Sequence, residues 1–177
     1  MTDSELQTKR LIAAAIDSAI FVAITVGVVA MSWGTVFALA RVSDSAIAMY
    51  VPRVVSFLGA ALALGYVLGR DLLGGGRSLG KKFQGIRVIT LDGGEIGFMD
   101  SVKRNAIFGI GSILGFSSAT LQLVPCLGDC ASYVLWPLWI LGVVASLVGV
   151  IVEVIKISGD PEGIRMGDRF AGTRVVR

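Results

Sequence analysis

The stretch LIAAAIDSAIFVAITVGVVAMSW, residues 11–33, decides the fold. Apart from Asp17 its residues are apolar or small, and it is longer than the roughly 20 residues a helix needs to cross a bilayer. An ionised carboxylate at that depth costs about 2.5–3.5 kcal/mol on insertion scales, so it requires a partner or water. Arg10 opens the same helix seven residues earlier, on the same face and about 10 Å away along the axis. That gap is too long for a direct bond, so each charge needs a further partner. Asp17 then has two readings. It is either a fixed structural link to an Arg or to backbone groups of a neighbouring helix, or a site that binds a cation or proton and alternates.

Three further apolar stretches follow, giving spans at about 11–34, 47–69, 106–124 and 131–155. The expected fold is an all-α membrane protein, a four-transmembrane-helix bundle forming one domain over residues 1–177. Composition agrees: 54% of residues are hydrophobic and 16% charged, against roughly 45–50% and 25% in soluble domains. Alternate placement of the loops puts fourteen of the sixteen Lys and Arg on one side, with both termini. The positive-inside rule makes that side cytoplasmic, with 70–105 as a cytoplasmic loop, 156–177 as a cytoplasmic tail and the bacterial inner membrane as the location. The basic face would meet anionic lipid headgroups, and no nucleic acid is implied. A cleaved signal peptide is the competing reading of the first span, but the apolar run far exceeds the usual 7–15-residue core of one.

The chain contains no His, which removes the commonest metal ligand and the usual neutral-pH base. No catalytic set emerges, so an enzyme, a metal centre and a cofactor are not expected. Gly75-x4-Gly80-Lys81 approaches a phosphate-binding loop but continues with Lys82 where Ser or Thr would reach Mg²⁺. Arg53 either snorkels to the outer headgroups or lines a water cavity. Glu153 either lies at the inner interface beside Lys156 or faces the bundle as a second acid. Cys126 and Cys130, in the short outer loop, either close a small disulfide in an oxidising compartment or remain separate thiols.

Within the cytoplasmic loop, Leu79 and Phe83 with Lys81 and Lys82 between them suit a short interfacial helix, its lysines near headgroups. Gly85–Thr90 reads as a strand, Asp92-Gly93-Gly94 as a turn, and Glu95–Phe98 as the returning strand of a β-hairpin. Asp100 or Ser101 would cap the next helix. Thr173–Arg177 echoes Ile86–Ile89, so a C-terminal strand would complete a three-stranded patch.

Three blocks of this chain resemble the RDD family of bacterial membrane proteins. Arg10 with Asp17 is similar to the family's opening arginine and aspartate. Gly76-Arg77-Ser78-Leu79-Gly80-Lys81-Lys82 and Gly85-Ile86-Arg87-Val88 resemble its G-x-[ST]-x-G-K-x3-G-x-R-V loop, with Asp92-Gly93 and Arg104 as the usual sequel. Gly167–Val176 resembles its closing D-R-x-A-G-T-x-V-V block, with Asp168 as the second aspartate. Residue 167, often His in the family, is Gly here, which removes a proton carrier. The resemblance implies a compact helical membrane domain without a settled activity. Cation/proton exchange is described for some members and an accessory role in larger assemblies for others. It also implies an inner-face cluster of Arg10, Asp168 and Arg169 reaching toward Asp17. One arrangement pairs Arg10 with Asp168 and leaves Asp17 for Arg169 or a ligand. The sequence thus supports a small ion or solute transporter acting as a homo-oligomer, or a non-transporting subunit of a larger membrane complex.

Overall fold

The computed structural model describes residues 3–39, 46–124 and 165–176, together with helical positions between 133 and 155. The expectations for Cys126, Cys130 and Glu153, and for much of the fourth span, lie outside the described residues. The first apolar run forms α1 (Asp3–Leu39) and the second α2 (Ala46–Gly69). These two helices are long and apolar enough to cross a membrane. Next come α3 (Leu79–Gln84), β1 (Arg87–Thr90) and α4 (Phe98–Gln122). The shorter apolar α5 (Ile140–Gly149), α6 (Met166–Ala171) and β2 (Thr173–Val176) follow among the described residues.

Small residues bring the long helices together. Gly59 of α2 faces the Val28 side chain of α1, and Ser56 donates to Ser32 across the same seam at 3.0 Å. Gly109 of α4 sits on Val67 and Leu68, with Phe57 and Phe116 stacked further along at 5.4 Å. Gly142 of α5 packs against Leu114 and Gly111. The pairings make α2 antiparallel to both α1 and α4, so α1 and α4 run in the same direction. Along the helices Thr25, Ser32, Ser117 and Thr120 return their hydroxyls to the carbonyl four residues back, at 2.8–2.9 Å. That satisfies a hydroxyl which has no water to bond. Large side chains such as Val26, Met31, Phe37, Leu58 and Leu62 remain exposed.

The buried apolar core lies at one end of this bundle, where Ile86, Val88, Ile96 and Val175 close over Ala13 and Leu6. There β1 and β2 pair antiparallel. The expected three-stranded patch is a two-stranded sheet with one isolated bridge, Ile89 to Glu95. A third strand has no room to grow, because Ile96 tucks into the core and Gly97 already caps α4. Asp100, in the first turn of α4, accepts from the Gly97 N–H at 2.9 Å. Ser101 is buried and donates instead to the Leu68 carbonyl at 2.6 Å.

The two ends of the sheet are built alike. Leu79-Gly80-Lys81-Lys82-Phe83-Gln84-Gly85-Ile86-Arg87-Val88-Ile89 matches Met166-Gly167-Asp168-Arg169-Phe170-Ala171-Gly172-Thr173-Arg174-Val175-Val176. Each is one short helix, a glycine and a strand. Gly85 and Gly172 end the helices in the left-handed region (φ 64° and 63°), where a side chain would clash. Val88 pairs directly with Val175, its own counterpart, as a local two-fold axis through that pair requires. The second residue of each helix lies against backbone: Gly80 on the Ala13 carbonyl of α1, Gly167 on the Arg104 carbonyl of α4.

Candidate functional site

Asp17 does not meet a guanidinium. Its two oxygens accept from the Ser78 hydroxyl at 2.5 Å and the Gly80 N–H at 2.8 Å. The carboxylate thus closes the N-terminus of α3, where unpaired N–H groups and the helix dipole favour a negative charge. Gly80 makes this approach feasible, since a side chain there would collide with α1. The residue is only 2% exposed.

Next to this cap runs a chain of alternating charges. Lys81 pairs with Asp71, Asp71 with Arg104 at 3.4 Å, and Arg104 with Asp168 at 2.8 Å. All four side chains are buried. Asn105 braces the chain, donating to Asp71 at 3.2 Å and to the Ser101 carbonyl at 3.0 Å, and accepting two bonds from Arg70 at 2.8 and 3.1 Å. The other oxygen of Asp168 accepts from the Arg165 N–H at 3.3 Å. The counterpart positions Lys81 and Asp168 therefore carry opposite charges, and the central Asp71–Arg104 pair joins them. In a buried setting such pairing is what keeps ionised groups tolerable.

The expected cluster of Arg10, Asp168 and Arg169 is divided between the interior of this end and its surface. Arg10 is buried, gives its guanidinium to the Val175 carbonyl at 3.0 Å and lies within reach of the Asp168 charge, which also pairs with Arg104. Arg169 is exposed on α6. Lys81, expected at headgroups, is buried against Asp71, and only Lys82 is exposed. Arg53 lies at the far end of α2, stacked over Tyr50 at 5.6 Å and donating to the Gln122 carbonyl of α4 at 3.4 Å. Gly167 lies directly on the α4 backbone, where a Cβ would meet the Arg104 carbonyl. Sequence reasoning missed Asp71, Ser78 and Asn105. The signal for Asp71 was an acid immediately after an apolar helix beside Arg70; the missed eleven-residue repeat would have singled out Lys81 with Asp168.

Burial alone would raise the Asp71 carboxyl, but Lys81, Arg104 and Arg70 outweigh it and hold it well below the usual range. Burial, with Arg104 close by, pulls the Lys81 ammonium down to about 7 against the opposing pull of Asp71. Unfolded, Asp71 takes its proton near 3.8; folded, only at lower pH. Its contribution to stability is therefore complete above the unfolded value and drains as pH falls toward the folded one. Thermal unfolding of the purified chain should show a melting temperature that declines below about pH 4, with a flatter decline in Asp71→Asn. Equal acid sensitivity in both proteins would remove Asp71 as the cause.

A family model described as the RDD family matches residues 7–172. The chain belongs to the RDD family. RDD proteins are membrane proteins, which accounts for the apolar surfaces that α1 and α2 leave uncovered. No curated protein and no solved structure matches the chain. Within this RDD protein, Asp17 and Asp168, the two aspartates of the resemblance, serve the same end of the molecule: each fastens one of the two short helices.

Proposed function

We propose that this RDD protein is a non-transporting accessory subunit that docks onto a larger membrane complex. The observation that carries this reading is Asp17, whose two oxygens are both taken by α3 and which is shielded from solvent. A carrier acid must exchange its ligand, whereas this one holds a fold together. The polar end packs along α1 as far as Asp17, and 18–39 then remain, about 33 Å of helix, which is sufficient for the hydrocarbon core. In this reading Asp17 sits at the inner boundary rather than mid-membrane. Four helices cross the bacterial inner membrane, with both termini cytoplasmic.

The docking face is on α1. Ala19, Ala23, Gly27, Ala30 and Gly34 recur every three or four residues and are all exposed, and the space beside Gly27 and Gly34 is open among the described residues. They lie opposite Val28 and Ser32, which face α2. Small residues at such spacing let two membrane helices approach closely. Native mass measured from mild detergent should give a stoichiometric complex with another membrane protein, lost in Gly27→Leu/Gly34→Leu while the melting temperature holds. Proteoliposomes should move H⁺, Na⁺ and K⁺ no faster than empty liposomes. Flux above that background, or recovery solely as monomer or homo-oligomer, overturns the reading.

A further inference from the structure

We propose that the doubled helix–glycine–strand element is a pair of anchors for anionic lipid headgroups, with Lys82-Phe83 and Arg169-Phe170 as the two contact points. Phe83 is 76% exposed and Phe170 71% exposed, each beside an exposed basic residue at the same position of its helix. A short helix on a water-soluble surface turns its phenylalanine inward; here both turn outward. A ring beside a cation fits the boundary where apolar chains give way to phosphates.

Height supplies the second argument. The local two-fold axis passes through the Val88–Val175 pair. It relates α3 on α1 to α6 on α4, helices that point the same way, so the axis runs along the bundle. Counterpart residues then stand at one depth on opposite flanks. That depth is close to the boundary, since the N-terminus of α3 is fastened to Asp17 and the apolar exposed surface of α1 continues from there with Val22 and Val26. Arg87 and Arg174, exposed on the strands, add positive charge on the same end. The charge complementarity favours anionic lipid over a protein partner here. This inference rests on the membrane placement of α1 proposed above, with Asp17 at the inner boundary, but not on the accessory role or on the small-residue track of α1.

The test uses the full chain in bilayers of phosphatidylcholine with phosphatidylglycerol. Nitroxide labels at Phe83→Cys and at Phe170→Cys, each in a Cys126→Ser/Cys130→Ser background, should collide with oxygen more than with a water-soluble nickel complex and report equal depths. Lys82→Gln/Arg169→Gln should weaken the preference for phosphatidylglycerol among retained lipids, by about five-fold for each charge removed. Labels in open water, labels at unequal depths, quenching of one label by a bound protein, or an unchanged lipid preference would each overturn the proposal. Both substitutions are on exposed residues, so an unaltered melting temperature confirms that the fold survives them.

Discussion

Asp71→Ala is expected to destabilise the folded chain by about 3–5 kcal/mol, the usual consequence of removing one partner from a buried ionic pair. The side chain is fully buried and joins Lys81 to Arg104. Its loss leaves two cations facing each other without the charge between them, and Asn105 without one acceptor. Thermal unfolding in detergent should move down by roughly 6–20 °C for a domain of this size. Asp71→Asn/Lys81→Met should recover much of that loss, since it removes the second charge along with the first and leaves Arg104 with Asp168. A single variant melting within a degree or two of the wild type would show that the chain of charges contributes little. A double variant no better than the single one would place the cost in packing instead.

The second large effect is expected at Gly80 and Gly167. A Cβ at either position would overlap a main-chain carbonyl, of Ala13 or of Arg104. Backbone in the middle of a long helix cannot rotate aside as a side chain can. Gly80→Ala and Gly167→Ala should therefore each cost at least the 1–3 kcal/mol typical of overpacking, by prising a short helix off a long one. Gly80→Ala should also loosen the bond from Gly80 to Asp17. Gly59→Ala is the comparison: its new methyl would meet the Val28 side chain, which can change rotamer, so the loss should be smaller. Melting temperatures that rank Gly59→Ala below the other two in stability would contradict this account.

How much of this was legible from the residues depends on the distance over which they act. The first two spans, the Asp92-Gly93 turn and the strands at Arg87 and Thr173 follow from local pattern, and the structure contains each. The demand of Asp17 for a partner was equally plain from its apolar surroundings. The partner itself was not, because Ser78 and Gly80 lie 61 and 63 residues away, where neither periodicity nor spacing can point. Arg10, seven residues away along the same helix, was too distant for a direct bond, and its guanidinium goes to the Val175 carbonyl. Lys81 misled for a related reason. Two lysines between Leu79 and Phe83 look like one solvated face, yet a six-residue helix pinned at its start turns Lys81 inward and Lys82 outward.

The eleven-residue duplication sets two like surfaces at one end of the molecule. On the readings proposed above, the twin contacts would hold the protein upright at the bilayer surface, while the small-residue track on α1 would offer a partner one orientation.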